Sequence, residues 1–276
     1  MSDKKPKYAV VAVHGIGFGD QLERNGFSKA LSEQVFPDET IRTQYWAESI
    51  WEGQNDKFDD QVGNITQCIL SKDIFPSLQE CSGWKEKVGC AIFKLVWLIA
   101  GKHVHKYATM VTDLLLDFVL YLDSEHGKSI REVVRRDIEQ AATDHPEGIV
   151  VVAHSLGSLI AHDVLHEMKE SECLKRIKHF ITIGSPIEWS FKLRDAEKKK
   201  ECDWGKIDGV HWLNMFYEQD PVAAGRKISE SRFGEVDNVK LDLPDGVKSI
   251  LKSYKAHCAY WEDAEVAKRI VELCCG

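Results

Sequence analysis

One serine lies in a setting typical of a nucleophile. Ser155 comes between the apolar run 149–153, which predicts a buried strand, and the helical pattern of residues 156–169. A sharp turn from a strand into a helix holds its middle residue in a strained conformation and exposes that side chain at the carboxyl edge of the sheet. Ala153 and Gly157, two residues before and after the serine, are small enough for such a turn. The pattern therefore predicts an exposed, reactive hydroxyl.

A serine hydroxyl becomes a good nucleophile only when a general base removes its proton. The histidines well beyond the serine in the chain are His179, His211 and His257. His179 and His211 fall in predicted strands, and we interpret them as satisfied sheet residues. His257 lies in a predicted loop before the final helix, with Tyr260 and Trp261 expected to pack behind it. A histidine there suits a proton shuttle, so we predict His257 as the base.

The base in turn needs an acid that orients it. Asp220 follows the predicted strand 210–217, in a turn that contains a proline. Catalytic groups collect at the carboxyl ends of strands in open α/β sheets, so this position favours Asp220. Glu188 and Asp237 are the alternatives, whereas the neighbouring Glu218 is expected to point away.

A glycine-rich loop, residues 14–20, follows the first predicted strand and leads into a predicted helix. Its three glycines let the backbone turn beneath a ligand, so a backbone donor of this loop is expected to face Ser155. A phosphate-binding loop is the alternative interpretation. The spacing G-x-G-x-x-G is absent, however, and no Lys-Ser/Thr pair follows.

The His14-Gly15 pair after the first strand and the segment Ala-His-Ser-Leu-Gly at 153–157 together carry a resemblance. The chain resembles the α/β-hydrolase superfamily, and in particular its lipase- and esterase-like serine hydrolases. Some bacterial lipases share the alanine at the first position of this turn. The resemblance implies the chain order serine, acid, histidine, which Ser155, Asp220 and His257 follow.

The same resemblance implies roles for the two loops. The N–H groups of Ile16 and Leu156 would form the oxyanion hole that binds the negative charge of a tetrahedral intermediate. The residues expected to support these loops are His14, Gly15, Gly17 and Gly157. Chemistry of this kind requires no metal and no organic cofactor.

Short β-branched runs alternate with helical patterns, which predicts an α/β fold with a mostly parallel sheet flanked by helices. The predicted strands are 8–13, 41–46, 149–153, 178–183, 210–217 and 236–241. The predicted helices are 21–35, 129–143, 156–169 and 263–274. Ser129 is predicted as the N-cap of the second helix, with Glu132 completing a capping box.

Residues 47–125 interrupt this alternation and are rich in aromatic side chains. No linker of proline, glycine and serine bounds them, so we predict one domain over 1–276 with a helical cap inserted at 47–125. Residues 88–101 are apolar nearly all round, which favours a helix buried within the cap. A hydrophobic lid that faces an acyl chain or a membrane surface is the alternative.

Composition narrows the function classes further. The net charge is −8, which argues against a broad electrostatic grip on nucleic acid or anionic lipid. The sequence shows no signal-peptide pattern and no apolar run long enough to span a membrane. Its eight cysteines have no C-x-x-C spacing, which favours free thiols and a cytoplasmic location. The adjacent Cys274 and Cys275 are interpreted as a frayed helix end, with a regulatory thiol pair as the alternative.

Two polar pairs could suggest a metal site. His103 and His105 could lie on one face of a strand, but no third ligand has a clear spacing. Asp113 and Asp117 share a helical face, which we interpret as the solvated side of that helix, with a metal pair as the alternative. His154 and His162 are expected to be packing or surface residues around the serine. We therefore predict no metal site in this chain.

The sequence therefore predicts a serine hydrolase that cleaves a carboxylic ester, with a small-molecule or lipid-like substrate whose acyl group is apolar. Transient contact of the cap with a membrane surface is compatible with this. Thioesterase, amidase and acyltransferase activities use the same residues and are alternatives. A non-catalytic binding module on the same fold is an alternative from another class.

Overall fold

The computed structural model describes residues 6–15, 42–44, 121, 124–191, 205–220, 222–223, 227–243, 256–257 and 259–276. The strands within these ranges are β1 (Ala9–Val13), β2 (Arg42–Gln44), β3 (Ile149–His154), β4 (Ile177–Ile183), β5 (His211–Tyr217) and β6 (Asp237–Leu241). The main helices within them are α1 (Ser124–Asp144), α2 (Leu156–Glu167), α3 (Glu230–Phe233) and α4 (Ala264–Cys275). Short 3₁₀ helices cover Leu174–Arg176 and Tyr260–Glu262.

The six strands form one parallel sheet in the order β2-β1-β3-β4-β5-β6. Strand β2 is added on one side of β1, and β3 to β6 are added on the other. The direction in which strands are added therefore reverses between β1 and β3. In open parallel sheets the crevice at the carboxyl ends of two such strands is the usual position of a ligand site. The loop after β1 and the turn at Ser155 after β3 both lie at this point.

The inner strands β1 and β3 are apolar over residues 9–13 and 149–153, because the sheet is covered on both faces there. On one face, Val150 and Val152 of β3 pack in a cluster that includes Val266 and Ile270 of α4. On the other face, Trp212 of β5 contacts the ring of His162 from α2, with 5.4 Å between ring centroids. The α/β class and the parallel sheet that the sequence predicts are thus confirmed.

Helix α1 begins earlier than the sequence predicts. It starts at Ser124, so Ser129 lies inside the helix and the predicted N-cap and capping box are wrong. Ser129 is exposed. A serine followed three residues later by a glutamate is also a common pattern on the exposed side of a helix, which is why the local signal misleads. Arg131 of α1 forms an ion pair with Glu167 of α2, with 2.7 Å between Nε and Oε1.

The last helix is ordered to its end. Asp263 caps α4 by accepting a hydrogen bond from the N–H of Glu265 at 2.8 Å. Cys274 is fully buried, and its carbonyl oxygen accepts hydrogen bonds from the N–H groups of Lys7 and Tyr8 at 2.8 and 3.1 Å. The expectation of a frayed end at Cys274 is therefore wrong, because the start of β1 holds this end of the helix. Cys274 is a free thiol, as is the adjacent cysteine.

The chain divides into two compact units, Met1–Tyr45 with Arg131–Gly276 and Trp46–Ile130. Nearly all of the second unit lies outside the described residues, as do the predicted helices at 21–35 and 88–101, so the cap remains a prediction. Among the described residues, no helix is both long and apolar enough to cross a membrane.

Candidate active site

Ser155 occupies a strained turn between β3 and α2. Its φ of 54° and ψ of −132° make it the one described non-glycine residue with a positive φ. Its N–H donates to the carbonyl oxygen of Ile183 on the neighbouring strand at 3.0 Å, which holds the turn against the sheet. Backbone strain of this kind persists only where surrounding contacts impose it, and it is concentrated at functional sites. The serine is only 2% exposed, so the expectation of an exposed hydroxyl is wrong.

The two glycines near the serine allow the loop after β1 to approach it. A Cβ at Gly157 would lie 2.2 Å from the carbonyl oxygen of His14 and 2.5 Å from that of Val13. A Cβ at Gly15 would lie 2.6 Å from the Cβ of Ser155. The sequence pattern explains the small residue at 157 by closeness within the turn itself. The structure gives a further reason, because β1 and its loop pack directly against the start of α2.

His257 lies within hydrogen-bonding distance of both Ser155 and Asp220. Its Nε2 is 2.9 Å from the Ser155 Oγ, and its Nδ1 is 3.0 Å from the Asp220 Oδ2. A carboxylate only accepts, so Nδ1 carries the proton and Nε2 is left to accept from the serine hydroxyl. The imidazole is buried, and residues 256–257 are helical rather than part of a loop as predicted. The structure thus brings together the three residues that the sequence singled out.

Asp220 is buried and accepts several hydrogen bonds. Besides His257, the Val222 N–H donates to Oδ1 at 2.8 Å and the Tyr260 hydroxyl donates to Oδ2 at 2.7 Å. Burial alone would raise the pKa of this carboxyl. The electrostatic attraction and hydrogen bond of His257, with the hydrogen bonds from Tyr260 and Val222, outweigh burial, so the pKa of Asp220 falls below its ordinary value. The carboxylate is therefore ionised at neutral pH.

The alternative acids lie elsewhere. Glu188 accepts a hydrogen bond from the Ser229 N–H at 3.0 Å. Asp237 accepts from His211 Nε2 at 2.8 Å, and His179 Nδ1 lies 3.0 Å from His211 Nδ1, in line with the interpretation of both histidines as sheet residues.

Glu218 pairs with the Lys240 ammonium at 2.7 Å, so it points away from Asp220 as expected. Asp220 is thus the acid that meets His257.

The sequence pattern does not predict the contacts that three residues make in the site. Tyr260 is expected only to pack behind the histidine, yet its hydroxyl binds Asp220. His154 stacks on His257, with 4.6 Å between ring centroids. At Gly184, where φ is 57°, a Cβ would lie 2.8 Å from the Asp220 Oδ2 and 3.1 Å from the His257 Nδ1. A glycine directly after a buried strand is the one signal in the sequence for Gly184.

Of the residues predicted to form an oxyanion hole, the structure describes Leu156, at the start of α2. Leu156 is the first residue of this helix, so its N–H has no acceptor within the helix, and the positive end of the helix dipole lies beside Ser155. His14 and Gly15 lie at the end of β1 next to the serine. Ile16 and Gly17 lie outside the described residues, and their roles remain predictions.

No group of three or more His, Cys, Asp or Glu side chains in the described ranges is arranged to hold a metal ion. The pairs His103 with His105 and Asp113 with Asp117 lie outside those ranges. His162 is buried on α2, where its Nε2 lies 3.0 Å from the Gly205 carbonyl oxygen, so it is a packing residue as expected.

No protein-family model matches this chain, and no curated protein sequence matches it. The function is therefore proposed from the geometry of the site.

Proposed function

We propose that this protein is a serine hydrolase of the lipase and esterase type, with an α/β-hydrolase fold, that cleaves a carboxylic ester through a covalent acyl-enzyme. One observation carries the proposal: a hydrogen-bonded chain runs from the Ser155 Oγ through His257 to Asp220, at the strained turn after β3. A nucleophile bonded to a base that is bonded to an acid is the arrangement that activates a hydroxyl. Its position at the reversal between β1 and β3 supports a ligand site.

In the proposed reaction, Ser155 Oγ attacks the ester carbonyl carbon while its proton moves to Nε2 of His257. Asp220 keeps the proton on Nδ1 in place and stabilises the imidazolium that forms. The carbonyl π electrons move to oxygen, and the Leu156 N–H and a donor from the loop after β1, proposed to be Ile16, would stabilise that charge. His257 then gives its proton to the alcohol oxygen as the carbon–oxygen bond breaks.

Hydrolysis of the acyl-enzyme repeats the same steps with water as the nucleophile. His257 removes a proton from water, the resulting hydroxide oxygen bonds to the acyl carbon, and the Ser155 oxygen leaves and regains the proton. The proposed chemistry uses no metal and no cofactor. We also propose a cytoplasmic location, on the basis of the many cysteines without C-x-x-C spacing.

A serine-directed fluorophosphonate probe tests the proposal. We expect the wild-type protein to form a covalent adduct at Ser155, detected as a mass increase, and Ser155→Ala to form none. Ser158→Ala is the matched control. Ser158 is a buried serine in the first turn of α2, and its hydroxyl donates to the Ala153 carbonyl oxygen at 3.0 Å. This variant is expected to be labelled like the wild type. Equal labelling of Ser155→Ala would contradict the assignment of Ser155 as the nucleophile. No labelling of the wild type would contradict the proposal and favour a binding module.

A panel of esters with increasing acyl length tests the proposed apolar substrate. We expect kcat/KM to rise with acyl length over the shorter members, because each buried methylene contributes about 0.8 kcal/mol. Matched thioesters and amides in the same assay separate the alternative activities. A clear preference for acetyl esters would overturn the apolar acyl group without affecting the assignment of the nucleophile.

A further inference from the structure

His154 connects strand β3, which leads to the proposed nucleophile Ser155, with the proposed base His257. It is the last residue of β3 and directly precedes Ser155. Its backbone is in register with Ile183 of β4, so the sheet fixes its position. Any side chain that extends from this point toward His257 is therefore anchored to the same rigid element as the nucleophile.

Two contacts connect His154 to His257. The two imidazole rings stack with 4.6 Å between centroids and 27° between planes. In addition, His154 Nε2 lies 3.1 Å from the backbone carbonyl oxygen of His257. A carbonyl oxygen only accepts, so the Nε2 of His154 carries a proton and donates it. One contact holds the ring of His257 and the other holds its backbone.

Aromatic side chains restrict His154 from another side. The ring of Trp261 meets it edge-on at 5.2 Å and 73°, and the ring of Tyr260 at 6.0 Å and 65°. These rings come from the 3₁₀ helix shortly after His257. His154 thus lies between His257 and the 3₁₀ helix that follows it. A flat ring with one N–H donor can contact the rings on both sides and also bind the His257 carbonyl oxygen.

The charge of His154 suits this position. The pKa of His154 is lowered to about 3. Burial, then the proximity of His257, and last that of His14 lower it, while the hydrogen bond to the His257 carbonyl and the charge of Asp220 oppose the shift. The ring is therefore neutral at neutral pH. A neutral ring can lie against His257 when that residue is protonated during the reaction, whereas a second cation would repel it.

We propose that His154 is a positioning residue for the proposed hydrolase reaction, which holds the imidazole of His257 in line with the Ser155 hydroxyl through ring stacking and a hydrogen bond to the His257 backbone. This inference rests on the proposed function. In this role His154 would neither donate to the oxyanion nor carry a proton; it would only orient His257. A misplacement of about 1 Å in such a site can reduce a rate by about 100-fold, so the role is measurable.

Two variants separate the two contacts. His154→Phe keeps an aromatic ring against His257 but has no donor for the carbonyl. His154→Gln has an amide donor but no ring. His145→Gln is the control, because His145 is an exposed histidine in the turn after α1. Thermal unfolding of each variant shows whether it folds, and if one of the His154 variants does not, the other decides.

We expect each folded His154 variant to lower kcat for an ester substrate that the wild type cleaves by about tenfold or more, with KM within about twofold of the wild type. His145→Gln is expected to match the wild type. A merely structural role would lower stability and leave kcat unchanged. The proposal is overturned if both variants keep kcat within about twofold, or if the loss lies in KM alone.

Proton NMR distinguishes failure of this inference from failure of the proposed function. The His257 Nδ1 proton bonded to Asp220 gives a downfield signal, identified by its loss in His257→Gln. We expect the signal to weaken or exchange faster in both His154 variants and to persist in His145→Gln, whether or not any ester is cleaved. An unchanged signal in the His154 variants overturns the positioning role even if the protein proves to be an active hydrolase.

Discussion

At the scale of single residues, Tyr260 links the acid of the site to the end of β5. Its hydroxyl donates to the Asp220 Oδ2 at 2.7 Å and accepts the N–H of Tyr217 at 3.0 Å. Its ring stacks on that of Tyr217 at 4.3 Å. Burial and the charge of Asp220 raise the pKa of Tyr260 well above its ordinary value, so the phenol keeps its proton and remains a donor.

We expect Tyr260→Phe to lower both activity and stability. The ring is kept, but Asp220 loses a donor and the buried Tyr217 N–H loses its acceptor, which costs about 1–3 kcal/mol of unfolding free energy. The Tyr260 hydrogen bond lowers the pKa of Asp220, so its removal raises that pKa and activity is lost at a higher pH on acidification. Urea unfolding and a pH profile of kcat/KM measure the two effects.

Tyr217→Phe is the matched control for this prediction. The Tyr217 hydroxyl donates to Asp263 Oδ2 at 2.5 Å, away from the base. Its removal is expected to lower stability but to leave the pH profile in place. Equal profiles for wild type and Tyr260→Phe would show that the phenol does not act on Asp220.

His154 gives a pH dependence of stability with a definite sign. Its pKa is about 3 in the folded chain, against 6.5 ordinarily, so between these values the unfolded chain binds a proton that the folded chain does not. Acidification through this window therefore favours unfolding, by at most about 1.4 kcal/mol per pH unit. We expect the unfolding free energy of His154→Phe to depend less steeply on pH in this window than that of the wild type. Parallel curves for the two proteins would refute the buried, neutral state of His154.

At the scale of elements, the close packing of α2 against β1 depends on Gly157. Because a Cβ at this position would lie 2.2 Å from a backbone oxygen of the β1 loop, no side-chain rotation relieves the clash. Strand β1 or helix α2 would have to move, and both carry parts of the site.

We expect Gly157→Ala to lower the unfolding free energy by about 3 kcal/mol or more and to abolish labelling of Ser155, because overpacking of a tight core contact displaces backbone. Gly209→Ala is the control: Gly209 has a φ of 79°, but a Cβ added there would meet no atom within 4 Å, so only backbone strain of about 1 kcal/mol applies. Urea unfolding and probe labelling compare the two. A Gly157→Ala protein as stable as Gly209→Ala would contradict the packing described for α2.

For the molecule as a whole, the net charge indicates which classes of partner are repelled. With a charge of −8, phosphate-rich polymers and anionic membranes are repelled on average. We expect no binding of duplex DNA, and none of anionic vesicles, at physiological ionic strength. Gel-shift and vesicle co-sedimentation assays check this, with a basic protein as the positive control. Binding that weakens with added salt would contradict the expectation.

Much of the sheet was predictable from local pattern. Five strands lie within about one residue of their predicted bounds. For β1 and β3 the reason is that parallel strands buried on both faces are continuous apolar runs. The start of α1 was not predictable in this way, since Ser129 and Glu132 fit a helix interior as well as a cap. The state of Cys274 was also missed, because its partner, the start of β1, lies at the opposite end of the sequence.

The sequence by its local patterns predicted Ser155, Gly157 and Asp220, because a strained turn and the end of a strand leave marks in neighbouring residues. What surrounds these residues follows from the packing of segments that lie far apart in the sequence. Tyr260 lies 40 positions from its partner Asp220 in the sequence, and His154 lies 103 positions from its partner His257. Contacts at such separations depend on how the strands are ordered in the sheet and on which loops meet at its edge, and no local pattern of residues records either.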